Sequence, residues 1–556
     1  MKDKLEKIVH KAAQDAYAAG ELKSGDFGDI AIEAPKAASH GDFATNFALS
    51  GASAQKMPPR KLAETILRYI DDPENIIDKA EIAGPGFINF FISPAAWHPV
   101  LKAVHEKKGL FGAVDIGKGR RVQVEFVSAN PTGPLHVGHG RGAVVGDALA
   151  SILSFCGFTA DREYYINDAG RQIRTLGRSV YLRCLELAGR PADFPDDAYQ
   201  GEYIYDIARS LIEAGREPPL LSTDAEEAVV ICARSAADRI LEDIRKDLET
   251  LGITFDTWFS EQHLYDSGKV DDAIALLKKK TLAYTADGAV WFKSSLYGDE
   301  KDRVIVRGNG LTTYFASDIA YHMNKYERGY ERVVDVWGAD HHGYVARLTA
   351  AITALGYKPE QFRVVLAHLV NLVRQGEPVS MSTRAGQFVT LREVIDEVGV
   401  DAARFLFLTR HHESPLDFDL EVAKQKTNDN PVYYVQYVYA RISSIMKKAA
   451  LEYGINGDDA AMGDPGHLAE PEEIQLMKHI ARYREVIEGA AKMMEPHRVA
   501  YYLMELAAAF HAYYNKHRVL TDDRNLSLSR LYLVSAVRTV IGNGLKLLGV
   551  SAPETM

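Results

Sequence analysis

The chain has 556 residues, too many for one hydrophobic core, so three or four domains are expected. At 47% apolar and 25% charged it has material for several cores, and no apolar run reaches the ~18 to 20 residues of a membrane span. A net charge of −11 does not advertise nucleic-acid binding, although a net value averages over local basic patches. Cys156, Cys184 and Cys232 show no CxxC spacing, which excludes a disulfide framework or zinc knuckle and suits a reducing cytosol.

The opening "MKDKLEKIVHKAAQDAYAAG" reads as an amphipathic helix with Leu5, Ile8, Val9 and Ala12 on one face. It lacks a secretory apolar region and cleavage site, so a cytoplasmic location is expected. A second helix is predicted from Pro59, and "AEIAGPGFINFFIS" reads as strand material around a Gly-Pro-Gly turn. Residues 1–112 therefore form a small α+β domain, closed by the linker "GAVDIGKGRR".

"RVQVEFVS" then alternates as a strand, a Pro/Gly loop follows, and "VGHGRGAVVGDALASILSFCG" reads as a helix closed by Gly157. Strand, glycine-containing turn and helix open a nucleotide-binding α/β unit. "REYYINDAG" supplies another strand. Residues 171–301 are mostly helical, with "GAVWFKSS" as a strand, and read as an insertion. The α/β signal resumes in "DRVIVRGNGLTTYFASDIAYHMNKYE", "RVVDVWGADHHGY" and "FRVVLAHLVNLV", apolar runs ending in polar or glycine residues as strand ends at a crevice do. The α/β domain is thus expected over 113–395, a connecting segment over 396–429, and a helical bundle over 430–556 holding as many basic as acidic residues. The expected fold is multidomain: a Rossmann-like parallel-sheet catalytic domain between an N-terminal α+β domain and a C-terminal helical bundle.

"SANPTGPLHVGHGRG" carries His136 and His139 on one face of a first helical turn. Zinc binding lacks a third ligand and the HExxH context. Buried or capping histidines are a plain alternative. The reading with most chemistry has the helix amino terminus facing an anion, with imidazole N–H donors stabilising charge on a transferring phosphate. Gly138 would leave room for a flat adenine.

HVGH after "VEFVSANPTGPL" resembles the HIGH signature of class I aminoacyl-tRNA synthetases, and the longer string is similar to arginyl-tRNA synthetases in particular. "YINDAGRQIRTLGRSV", "YQGEYIYDIA", "TTYFASDIAYH", "WGADHHGY", "MSTRAG" and "GLKLLGVSAPETM" match that family's pattern in order, from "HGDFATNFA" near the start to the last residues. The resemblance implies that the chain activates L-arginine with ATP, giving arginyl-adenylate and pyrophosphate. It then esterifies the 3′ end of tRNA(Arg), releasing AMP.

What the resemblance implies for single residues follows. His136 and His139 stabilise the phosphoryl transition state, and Ala129, Pro131, Thr132, Gly133, Gly138, Asp340 and His341 line the ATP site. Glu125, Ser128, Asn130, Tyr314 and Asp318 hold arginine, with Tyr314 and Asp318 at the guanidinium. A guanidinium does need carboxylates, being always charged and suited to bidentate acceptors. From the residues alone, helix capping by Asp318 or an ion pair of Glu125 with an arginine is an equal reading, and a helix cap is the plain alternative for Asp340. "VSMSTRAG" keeps Met381 and Ser382 of the family's KMSKS loop but has Ser380 and Thr383 at the lysine positions, leaving Arg384 as the nearest cation. Leaving-group charge must still be compensated, and Lys118 in "GKGRR" is the candidate substitute, against the reading of a solvated linker charge.

In the bundle, Tyr433, Gln436, Tyr437 and Arg441 are candidates for stacking on splayed anticodon bases, although a tyrosine stripe at this spacing is more often core. The N-terminal domain resembles the family's additional domain at the tRNA elbow. Expected partners are tRNA(Arg), L-arginine and ATP with Mg²⁺ as substrate. No zinc, no tightly bound cofactor and no membrane are expected, and the chain is expected to be a monomer. A ligase for another acid without tRNA, or a binding paralogue without catalysis, are the competing readings.

Overall fold

Five strands build the central sheet: β1 (Arg121–Glu125), β2 (Thr159–Ile166), β3 (Thr257–Ser260), β4 (Arg332–Gly338) and β5 (Phe362–Ala367). Their order is β5-β4-β1-β2-β3, and every pairing is parallel. The chain steps outward from β1 in one direction, then returns to the other side at β4. The crevice at the carboxyl ends of β1 and β4 is therefore the topological switch point where ligands bind in such sheets. The structure is a computed structural model that describes residues 1–35, 37–216, 224–379, 389–460 and 463–556.

The helix Val137–Phe155 crosses from β1 to β2 and buries residues along nearly its whole length. Its approach to the sheet depends on Gly146, where a Cβ would lie 2.3 Å from the Phe126 ring. At its middle, Asp147 pairs with Arg162 Nε at 2.8 Å and with the fully buried Arg404. Arg404 also donates to the carbonyls of Leu548 and Leu251, both at 2.9 Å. Gly549 (φ 66°) lies against that guanidinium with no space for a side chain.

Two strand readings change. Thr257–Ser260 lies within the stretch read as a helical insertion, yet it is the edge of the parallel sheet; four residues carry too short a period to be seen. Arg303–Val306 instead joins the hairpin Ala283–Ala286/Ala289–Phe292 in a small antiparallel sheet. "TTYFASDIAYHMNKYE" is correspondingly a helix, Tyr314–Glu327, with Thr313 at its N-cap.

The chain divides into two compact units. The unit just described comprises Gly112–Arg441, Arg484–Ala507 and Ile541–Met556. The other comprises Met1–Phe111, Ile442–Tyr483 and Ala508–Val540. In it the helix Lys2–Ala18 buries Leu5, Val9, Ala12, Ala13 and Ala16. The antiparallel hairpin Ile77–Ala83/Phe87–Ile92 turns through Gly84 (φ 52°) and Gly86 (φ 149°), conformations that favour glycine. The four periodic segments at the carboxyl end are the helices Pro431–Tyr453, Pro471–Met493, His497–Lys516 and Arg524–Leu547. No helix among the described residues is long and apolar enough to cross a membrane.

Candidate active site

His136 is the N-cap of Val137–Phe155 and His139 is its third residue, and the two form a reciprocal cap. His136 Nδ1 accepts from the Gly138 N–H at 3.1 Å, and His139 Nδ1 accepts from the His136 N–H at 3.3 Å. The rings stack with centroids 3.7 Å apart. Each Nδ1 is thus an acceptor, so in each neutral ring the proton sits on Nε2. Burial lowers the pKa of His136, and burial followed by the His136 charge lowers His139 to about 3. Both rings stay neutral and point Nε2–H donors away from the helix end, where the dipole already favours an anion. Capping and phosphate binding are therefore not alternatives here, because they use opposite nitrogens. At Gly138 a Cβ would press on the His136 ring at 3.0 Å.

Upstream, the chain leaves β1 through a strained turn. Val127 (φ 68°) and Ser128 (φ 40°) both occupy the left-handed region, a cost tolerated where surroundings impose it. Ser128 Oγ donates to Glu125 Oε1 at 2.9 Å and accepts from the Tyr165 N–H at 3.1 Å. The hydroxyls of Tyr164 and Tyr203 donate to the carbonyls of Ala129 (2.8 Å) and Thr132 (2.7 Å). Ala129, Asn130, Pro131, Thr132 and Gly133 are thereby held between the end of β1 and the two histidines.

Beside this loop lies a group of buried acids. Glu125 accepts from Lys325 Nζ at 2.5 Å, and the same ammonium donates to Asp335 Oδ1 at 2.8 Å. Lys325 is 0% exposed. Burial alone would lower its pKa, but Asp335 and Glu125 outweigh that and raise it. The His322 ring bridges Asp335 Oδ2 and the Asp318 carbonyl, both at 2.8 Å. Asp318 and Glu261 have no such cation among the described residues. Burial first, then Glu261, Glu125 and Asp335, push the Asp318 carboxyl well above its usual range, against the hydrogen bond it accepts from the Tyr344 hydroxyl. Burial, and then Asp168, raise Glu261 despite its bond from Ser317. The Asn167 side chain lies 2.8 Å from Glu261 Oε2 and 3.0 Å from Asn130 Oδ1. The buried Tyr165 hydroxyl also favours the ionised form of Glu261. Such a pocket is missing one thing, a cation with several donors.

Tyr314 and Asp318 stand four residues apart on one face of the helix Tyr314–Glu327, not at a strand end. Asp318 is not a cap, since the helix begins four residues earlier. Glu125 pairs with a lysine rather than an arginine. Asp340 and His341 lie exposed in the turn after β4, 3.6 Å apart, and Asp340 caps nothing. Met381, Ser382 and Arg384 lie outside the described residues. Thr390 pairs antiparallel with His136, and the Leu391 N–H donates to the Leu135 carbonyl at 2.7 Å.

Two expectations fail on geometry. Lys118 lies in a turn at the amino end of β1, where Gly117 and Gly119 donate to Cys156 and Gly157 beyond the far end of Val137–Phe155. A helix of 19 residues separates that end from His136, about 28 Å at 1.5 Å per residue, so Lys118 does not reach the histidines. Gln436 is buried and donates to Asp401 Oδ2 (2.8 Å) and the Ser551 carbonyl (2.9 Å), so it is not a surface contact. Tyr433 and Tyr437 stack at 6.2 Å, and the Arg441 guanidinium lies 4.9 Å over Tyr437, a partly exposed ladder on one helix face.

Glu261, Tyr344, Lys325 and Tyr165 were missed. Glu261 follows β3 as the first residue of the helix Glu261–Asp266, a strand-end position whose signal was lost with the strand. Lys325, seven residues after Asp318, could have been placed beneath it by helical period.

The chain matches three family models end to end. They are described as arginyl tRNA synthetase N terminal domain (residues 3–92), tRNA synthetases class I (R), catalytic domain (100–414), and DALR anticodon binding domain (435–556). It is 60% identical to the arginine–tRNA ligase of Desulfosudis oleivorans and 52% identical to that of Syntrophotalea carbinolica, with 100% of each chain covered. Among solved structures it is similar to Thermus thermophilus arginyl-tRNA synthetase, with a TM-score of 0.76 at 24% identity and full coverage of both chains, a likeness that bears on the fold.

Proposed function

The chain belongs to the arginyl-tRNA synthetase family, and from that premise we propose that it ligates L-arginine to tRNA(Arg) with Asp318 and Glu261 as the carboxylates that select the amino acid. ATP, entering as its Mg²⁺ complex, is attacked at the α-phosphate by the arginine carboxylate, and pyrophosphate leaves. A ribose hydroxyl at the tRNA 3′ end then takes the arginyl group and AMP departs.

The observation that carries the assignment is the pair of desolvated acids, Asp318 and Glu261, that have no cation among the described residues. A guanidinium returns both acids to their ionised state with hydrogen bonds in place. Tyr314, 54% exposed and one helical turn before Asp318, would cover the guanidinium. Asn130 and Ser128 face the amino-acid end, Ser128 held there by Glu125. The Nε2–H groups of His136 and His139 donate to phosphate oxygens whose charge grows in the transition state, with nothing to reorganise. Ala129, Pro131, Thr132 and Gly133 line the way to the nucleotide, with Asp340 and His341 on the opposite lip. Charge on the leaving pyrophosphate falls to Arg384, a role supported by the pairing of Thr390 with His136 just after that segment.

Tyr433, Tyr437 and Arg441 offer a stacking face for anticodon bases, and residues 1–112 a contact for the tRNA elbow. Cys156, Cys184 and Cys232 are all buried and none is in a disulfide, which fits work in the cytoplasm. Asp318→Asn tests the assignment: the arginine KM rises ~30-fold or more, as loss of one partner of a buried charge pair implies, while the ATP KM stays within twofold. Equal loss for both substrates would reject it.

A further inference from the structure

The amino edge of the parallel sheet, opposite the catalytic crevice, carries a row of arginines that nothing in the reaction uses. In parallel pairing Arg332 of β4 lies beside Val122, and Arg363 of β5 beside Val334. Paired residues share a face and faces alternate along a strand, so Arg332 and Arg363 point to one side. Arg120, two residues before Val122 and still in the ladder through the Thr159 N–H, falls on that side too. Glu331 falls on the other by the same alternation.

Arg120 is held in place, and none of the three guanidiniums is ion-paired among the described residues. Arg120 donates Nε to the Gly117 carbonyl (3.0 Å) and Nη2 to the Ile116 carbonyl (2.8 Å), and lies 5.1 Å over the Phe158 ring. Arg332 is half-buried, and its Nε has no hydrogen-bond partner among the described residues. Burial, then Arg363 and Arg120, lower its pKa, the effect of like charges crowded together. Among the described residues no carboxylate forms an ion pair with any of the three. Asp115, the nearest acid in the adjoining turn, accepts the Lys118 N–H at 2.9 Å, and Lys118 adds an exposed fourth charge.

Like charges held together without a counter-charge, in a chain of net charge −11, fit an anion that arrives from outside. The row runs over three neighbouring strands, about 10 Å across, and is open at both ends where Arg120 and Arg363 are exposed. That shape suits successive phosphates of a polymer better than one enclosed small anion. Resting on the reading of the chain as a tRNA ligase, we propose that Arg120, Arg332 and Arg363, with Lys118 beside them, form a phosphate-binding surface for the tRNA backbone, apart from the site that handles ATP.

The test uses the full chain, with Arg332→Gln and the exposed pair Arg120→Gln/Arg363→Gln, in filter binding of tRNA(Arg) across a salt series. Each variant should weaken tRNA binding about 3- to 10-fold at 0.1 M salt. The slope of log Kd against log salt should fall by roughly 0.7 to 0.9 per arginine removed. Turnover at saturating tRNA and the KM values for arginine and ATP should stay unchanged. Unchanged tRNA affinity, or weaker affinity with an unchanged salt slope, would overturn the proposal. If Arg332→Gln fails to fold, the exposed pair decides alone. Wild-type chain that charges no tRNA with arginine would refute the ligase reading instead, which the binding assay distinguishes.

Discussion

Glu261→Gln isolates the residue that the sequence did not announce. The amide keeps the shape and the contacts with Ser317 and Asn167 but removes one of the two negative charges offered to a guanidinium. A hydrogen bond to a charged partner contributes about 1.5 to 3 kcal/mol. Part of this returns, because Glu261 is one of the charges that raise Asp318, and its removal lets Asp318 ionise more easily. That relief returns part of the ~1.5 to 3 kcal/mol, leaving a net loss of about 1 kcal/mol. The arginine KM should therefore rise about 3- to 12-fold, with kcat and the ATP KM within twofold, in steady-state aminoacylation. The wild type should also take up arginine with release of protons, measurable by calorimetry in two buffers of different ionisation enthalpy, and the variant should release fewer. An arginine KM unchanged, or raised in step with the ATP KM, would show that Glu261 does not meet the substrate.

Other outcomes follow from the same groups. Raised carboxyls at Asp318 and Glu261 mean that the folded chain binds more protons than the unfolded one above the usual carboxylate range. Their contribution to stability therefore falls as pH rises through the raised pKa values, so saturating arginine should raise Tm more at pH 8 than at pH 6. An equal shift at both pH values would contradict that sign. Lys325→Met leaves Glu125 and Asp335 without their shared cation and should cost about 3 to 5 kcal/mol in denaturant unfolding. Adding Glu125→Gln should restore part of it, and a variant as stable as the wild type would mean the ion pairs are not formed. His139→Asn keeps an acceptor near the Nδ1 position but loses the Nε2–H donor, so kcat should fall ~10² to 10³-fold with Tm nearly unchanged. Parallel loss of Tm and kcat would make His139 a helix cap and nothing more.

The sequence was most readable where a pattern is long or chemically distinctive. The bundle helices run 20 or more residues each, and His136 and His139 follow a strand and a Pro/Gly loop that leave few alternatives. It was least readable where short elements take their identity from neighbours. β3 has four residues and exists because β2 lies beside it. Missing it hid Glu261, which the strand delivers to the pocket. Tyr314 and Asp318 do share a face, but on a helix rather than at the end of a strand. Lys118 shows the complementary error: nearness to β1 in sequence says nothing about which end of the strand it occupies, and that end decides what it can touch.

Lys325 also explains how a pocket with so many acids can choose a guanidinium. Four buried carboxylates, Glu125, Asp335, Asp318 and Glu261, lie within electrostatic reach of one another. Left alone they would hold protons, and any cation would relieve them. Lys325 engages two of the four with a single ammonium, at 2.5 and 2.8 Å. A compact ammonium is thus already supplied where carboxylates converge on one point. What remains, Asp318 under Tyr344 and Glu261 under Ser317, calls for donors that point in two fixed directions from one delocalised charge. A substrate lysine offers a strongly hydrated point charge and would satisfy one acid while leaving the other buried and unpaired, at a cost of about 1 to 3 kcal/mol or more. On the proposed assignment, selection for arginine rests as much on the cation the protein keeps inside as on the two acids it leaves open.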